Sequence, residues 1–339
     1  MPPKPLHETV LNPECSSGLP DYAELHCLSN FTFLRGASFP EELIERADEL
    51  GYRAIAITDE CSLSGVVRAH AVAKERGIEL IIGSEFHLEE GCHFVLLACN
   101  RRGYGHLCHL ISCARRDTAK GNYRMDYAMV EQHLPSDCLA LWLPDLNHAP
   151  EHLACQAVWL HRLFSMRLWI GVELLLRGDD LRKLRFLQRL GEQYAIPLCA
   201  TGGVYMHVPS RRIVQDTVTA IRLRRAINEL GLEGECNAQR HLRGREQLAK
   251  LYPPTLLAAT TEIADRCKFS LDELRYEYPE ELVPPDYTAH GWLRELTEVG
   301  VRTRWPEGAN PKVRNLIEHE LMLIKELNYE HYFLTVHDL

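Results

Sequence analysis

Apolar residues cluster in short β-rich runs along this chain, and most gaps between the runs carry apolar positions at helical spacing. The runs predict strands over residues 22–27, 53–58, 79–83, 93–98, 138–143, 168–174 and 197–201, and the gaps predict helices over 40–50, 64–76, 104–116, 151–164 and 179–194. Strands apolar on both faces and joined through helices imply a parallel sheet, and seven in one run favour closure into a barrel over an open doubly wound sheet. No glycine-rich phosphate fingerprint follows the first run, which weakens the dinucleotide-binding form of the open sheet.

Past residue 210 the alternation stops and helical patterns take over at 211–230, 246–251 and 254–267. An acidic, proline-punctuated segment over 276–287 marks an expected boundary, and two more helices follow at 290–304 and 310–328, the second opened by Asn310 and Pro311. The closing residues, 332–339, read as an apolar β-like run that stops without a turn or polar tail, so the chain is expected to be the N-terminal piece of a longer polypeptide. The domain plan is therefore a disordered tail over 1–20, a barrel core over about 21–210 with a helical extension over 211–285, and a further region over 286–339.

Composition narrows the function classes. A hydrophobic content of 46% supplies a real core, no apolar run is long enough for a bilayer, and the polar, proline-rich start is not a signal peptide, so a cytoplasmic protein without membrane contact is expected. The twelve cysteines are scattered without any C-x-x-C pair, which fits free thiols better than disulfides or zinc fingers. A net charge of −9 argues against this chain wrapping nucleic acid by itself. One stretch differs: between Arg211 and Glu246 eight arginines face five acids. Arg211, Arg212, Arg222, Arg224 and Arg225 read either as a solvated helix face or as an edge offered to nucleic acid or a partner.

In parallel barrels the functional side chains sit where strands end. Here His26 closes the first strand, Asp59 and Glu60 follow the second, Glu85 follows the third, His93 opens the fourth, and Gly202, Gly203 and Tyr205 follow the last. A cluster of metal ions needs several imidazole and carboxylate donors per ion. His26, Asp59, Glu60, Glu85 and His93 offer such donors, whereas Leu28, Gly203 and Tyr205 offer almost none. Each donor also has a plain structural role open to it: Asp59 as a turn or helix cap, His26 as a rim histidine, Glu85 as an arginine partner. Arg35, beside Gly36, is a cation that repels metal and that can neutralise Glu60 or Glu85 instead. His106 and His109 lie three apart on one helix face, with no carboxylate at matching spacing.

The segments LHCLSNFTFLRGAS, AIAITDECSLSGVVRAH and GIELIIGSEF, with QRHLR at 239–243, FSLDELRYEYPEELVP at 269–284 and IEHELMLIKELNYEHYFLTVHDL at 317–339, resemble the PHP domain and following region of bacterial C-family DNA polymerases, of the error-prone, second alpha-subunit type. That resemblance implies an α/β fold, a PHP-type distorted (β/α)7 barrel with an α-helical extension leading into the start of the polymerase palm. It also implies histidine where this chain has Leu28, an acidic or imidazole ligand where it has Arg35, histidine where it has Glu60, and Asp and His where it has Gly203 and Tyr205. His26, Glu85 and His93 match. The expectation is a degenerate, structural domain within an error-prone polymerase of damage-induced mutagenesis and translesion synthesis. No cofactor is expected in this fragment, and magnesium is expected for the full enzyme, whose palm aspartates lie beyond Leu339. The partners implied are DNA, a sliding clamp and a companion protein of the mutagenesis complex. Two alternatives stay open: a metal-dependent phosphoesterase using His26, Glu85 and His93, and an interaction platform.

Overall fold

The structure, a computed structural model, describes residues 18–274 and 282–339. The tail expected over 1–20 lies outside the described residues except for Gly18, Leu19 and Pro20, as does most of the acidic segment. Two compact units divide the chain at 273/274.

The first unit is a curled seven-stranded sheet whose neighbours follow chain order. Its elements are β1 (Ala23–Glu24), α1 (Pro40–Glu49), β2 (Ala54–Ile57), α2 (Val66–Arg76), β3 (Glu79–His87), β4 (His93–Ala98), α3 (Arg101–Arg116), α4 (Tyr127–Gln132), β5 (Cys138–Trp142), α5 (Pro150–Phe164), β6 (Leu168–Val172), α6 (Asp180–Tyr194), β7 (Leu198–Ala200), α7 (Arg212–Leu223), α8 (Arg245–Leu251) and α9 (Pro254–Arg266). All seven predicted strands are present, and the α/β class holds.

The expected all-parallel sheet is corrected at one strand: β4 runs antiparallel to both β3 and β5, while the remaining pairs are parallel. The cause is the link at residues 88–92, which is too short for a helical crossover. It turns back instead, with Leu88 N–H bonded to Cys92 O at 2.9 Å and Gly91 at φ +76°.

Both faces of the sheet are covered, as the apolar runs require. One face packs Leu43 and Ile44 of α1, Ala69 of α2, Leu107 and Leu110 of α3, Leu160 of α5 and Leu187 of α6 into the main core. The other carries Ala23, Leu25, Ala54, Ala56 and Leu141, against which α9 sets Ile263 and Ala264. Local signals place the helix starts. Pro40 opens α1 and Glu42 reaches back to the Phe39 N–H at 2.9 Å, while Asn100 caps α3 through Gly103 N–H at 3.0 Å.

The second unit contains α10 (Ala289–Arg304), α11 (Pro311–Glu326) and α12 (Glu330–Asp338) around Leu293, Leu321, Ile324 and Leu334. Asn310 caps α11 through Val313 N–H at 2.9 Å. The β-like reading of 332–339 is corrected to helix: Glu330 and Leu334, four apart, are the buried positions, while Tyr332, Phe333 and Val336 are exposed.

Candidate metal centre at the barrel mouth

The mouth is built where β1 meets the segment after β7. Leu28 N–H donates to Val204 O at 2.8 Å and Val204 N–H to His26 O at 3.0 Å. Beneath this junction the buried Glu24 carboxylate accepts from the Tyr22 hydroxyl (2.8 Å), the Thr201 hydroxyl (3.0 Å) and the backbone N–H groups of Leu25 (3.1 Å), His26 (3.1 Å) and Gly202 (2.9 Å). Glu24 thus fixes the strand that presents His26.

His26 lies between two carboxylates, with Nε2 2.5 Å from Glu85 and Nδ1 3.0 Å from Glu173. Burial pushes its ring down, but the hydrogen bonds to Glu173 and Glu85 outweigh it and raise the imidazole to about 10. Glu85 is wholly buried; its oxygens also meet His87 Nε2 at 2.8 Å and His93 Nε2 at 3.5 Å. Burial alone would raise this carboxyl, yet the facing His93, His26 and His87 hold it well below the usual range. Glu173 is likewise held low, against burial, by Arg240 and His26.

The remaining space is filled by arginine. Arg35 donates to Glu85 at 3.0 Å, to Glu60, and to the Tyr205 hydroxyl at 3.3 Å, while Tyr123 donates to Glu60 at 2.9 Å. Arg240 bonds Glu173 at 3.3 Å, Gly203 O at 2.9 Å and Glu235 at 3.0 Å, and stacks over the Tyr205 ring at 4.6 Å. A cavity of about 480 Å³ opens here, lined by His26, Arg35, His93, Lys183, Tyr205 and Arg240.

Of the sequence candidates, His26, Glu60, Glu85, His93, Arg35, Gly203 and Tyr205 meet at this mouth. Asp59 does not: its carboxylate accepts from Ser29 N–H (2.8 Å), Ser29 Oγ (2.7 Å), Thr32 N–H (3.1 Å) and Thr32 Oγ1 (2.7 Å), which ties down the loop after β1. Leu28 is fully buried. Glu173, His87, Tyr123 and Arg240 belong to the site but escaped the sequence reading. Arg211 pairs with Glu42 and Arg212 with Asp216 at 3.5 Å, whereas the exposed Arg222, Arg224 and Arg225 form no ion pair among the described residues.

Comparison with known proteins bears on this site. Residues 24–157 match the PHP domain family, and residues 291–339 match the bacterial DNA polymerase III alpha NTPase domain. The error-prone DNA polymerase of Methylococcus capsulatus is 56% identical over 94% of this chain and 30% of its own length. That of Dechloromonas aromatica is 53% identical over 95% of this chain and 31% of its own. The chain thus joins a PHP domain to a bacterial DNA polymerase III alpha segment. It spans about a third of the length of these curated relatives. Among solved structures, an amidohydrolase from Chromobacterium violaceum aligns at TM-score 0.42 and 14% identity over 54% of this chain and 87% of that one, too loosely to carry an argument.

PHP barrels of the resemblance hold metal clusters; here two groups of three donors, His26 with Glu85 and His93, and Glu60 with Glu85 and His87, each bring their ligand atoms within 4.8 Å of one another, and Arg35 lies against the carboxylates of both. Both ring nitrogens of His26 are engaged, Nε2 with Glu85 and Nδ1 with Glu173. Both oxygens of Glu85 are engaged, one facing Arg35 and His87 and the other His26 and His93, and Arg240 is shared between Glu173 and Glu235. His93 Nε2 lies 3.5 Å from Glu85 with no hydrogen-bond partner among the described residues, and burial lowers the pKa of this imidazole.

The raised pKa of His26 gives a sign for pH dependence. Its contribution is complete below its ordinary value of 6.5, shrinks above that, and is gone once pH passes about 10. The lowered Glu85 and Glu173 behave oppositely: their contribution is complete above 4.5 and is lost on acidification through their depressed values. Urea denaturation should therefore show stability falling from about pH 6.5 to pH 10, with a shallower slope in His26→Gln. An equal slope in both proteins would show that His26 is neutral.

Proposed function

We propose that this chain is the PHP region of an error-prone DNA polymerase acting in damage-induced mutagenesis and translesion synthesis, and that its barrel is a brace with no hydrolytic activity. One observation carries the second half of this reading: the Arg35 guanidinium lies against Glu85 and Glu60, where a hydrolytic centre needs a metal ion and its water. The first half rests on identity of 50% or more to error-prone DNA polymerases along nearly the whole chain.

In the whole protein, polymerisation requires DNA and a divalent cation, magnesium, held by carboxylates outside these residues. A sliding clamp and a companion mutagenesis protein are further proposed partners. The exposed Arg222, Arg224 and Arg225 at the end of α7 are the surface on which DNA or a partner would bear. None of the described helices is long and apolar enough to cross a membrane.

The test is hydrolysis of a chromogenic phosphate ester with manganese or zinc added. Turnover is expected to equal that of the His26→Ala variant. Metal-dependent turnover abolished by His26→Ala would replace the brace with a phosphoesterase.

A further inference from the structure

Away from the barrel mouth, α3 and the end of α4 bring three lone-pair donors together. His109 and Cys113 lie one turn apart on α3, and His133 follows directly on α4, its N–H bonded to Met129 O at 3.0 Å. His109 Nε2 is 3.0 Å from His133 Nδ1 and 3.6 Å from Cys113 Sγ, and all three ligand atoms fall within 4.8 Å of one another. The sequence reading counted only carboxylates beside His106 and His109, so the cysteine and the distant histidine were passed over.

We infer that His109, Cys113 and His133 form a binding site for a zinc-type divalent cation. One tetrahedral zinc with Zn–N of about 2.0–2.1 Å and Zn–S of about 2.3 Å holds two nitrogens about 3.3 Å apart, and a nitrogen and a sulfur about 3.5 Å apart. The separations here, 3.0 and 3.6 Å, are close to those values before any ligand moves. Two imidazoles and a thiolate are the donors a borderline-soft ion prefers over magnesium or calcium. His109 is exposed and the other two are half-buried, which leaves the fourth position to water. The ligands stand on fixed elements, since Leu107, Leu110 and Ala114 of α3 and Val130 of α4 are all core residues. Ligation releases the Cys113 thiol proton to solvent and ties α3 to the segment leading into β5.

Cobalt titration of the purified full chain tests this. One equivalent of Co²⁺ is expected to bring tetrahedral visible bands and a thiolate-to-cobalt charge-transfer band, both displaced by Zn²⁺. Cys113→Ser should abolish the charge-transfer band while keeping the metal-free melting temperature of the parent, and His133→Gln should weaken binding. His93→Gln, at the barrel mouth, should leave the signal intact. Absence of the charge-transfer band, its survival in Cys113→Ser, or its loss in His93→Gln would each overturn the assignment.

Discussion

Arg35→Met is expected to destabilise the barrel by about 3–5 kcal/mol, the usual cost of removing one partner from a buried ion pair. The cost arises at Glu85, which has no exposure and loses the guanidinium at 3.0 Å while keeping its charge. Glu60 loses the same cation and is left with the Tyr123 hydroxyl. Methionine retains much of the side-chain volume, so a packing loss contributes little. Arg35→Lys keeps the charge but not the planar fork that reaches two carboxylates, and should fall between parent and Arg35→Met. Adding Glu60→Gln to Arg35→Met should recover part of the loss, because one unpaired carboxylate is then neutral. Urea denaturation of the four proteins decides it. A loss under about 0.5 kcal/mol for Arg35→Met would mean that water already screens this site, as at an exposed ion pair.

The fold was readable because most of these strands are apolar on both faces. At β2, β5 and β6 every residue is buried, so each appears as a continuous apolar block. Strand direction is not carried by such blocks. Only the short link at 88–92 showed that β4 must reverse, and a reading based on periodicity alone passes over it. At α12 the β-favouring Tyr332, Phe333, Thr335 and Val336 misled, since propensity yields to the pattern of burial, here Glu330 and Leu334.

The candidate site was legible to the extent that it follows strand ends. His26, Glu60, Glu85 and His93 obey that rule, and Glu173 does too, immediately after β6, but it was hidden inside a strand predicted to run to 174. His87 was lost in the same way, because β3 continues four residues past its expected end. Arg240 stood out only within the QRHLR motif at 239–243, with nothing local to tie it to the site. It lies 67 residues from Glu173 in the chain, and only the tertiary fold brings its guanidinium to that carboxylate.

Glu24→Ala is expected to cost about 4 kcal/mol or more, because each buried donor left without an acceptor costs about 1–3 kcal/mol. The donors stranded would be the Tyr22 and Thr201 hydroxyls and the N–H groups of Leu25, His26 and Gly202. Tyr22 directly precedes β1, Leu25 and His26 directly follow it, and Thr201 and Gly202 stand across the seam after β7, so the damage concentrates at that seam. Glu24→Gln preserves one acceptor oxygen but faces either Tyr22 or the backbone N–H groups with an amide NH₂, and should lose less than alanine. Thr201→Val removes a single donor together with its partner bond and should cost about 1 kcal/mol. If alanine and valine variants proved equally mild in urea denaturation, water would be standing in for the carboxylate, and closure would rest on the backbone bonds between His26, Leu28 and Val204 alone. The larger loss is favoured because Glu24 and all its donors are sealed from solvent apart from traces at the rim, with Glu24 and Tyr22 each 1% exposed and Thr201 0%.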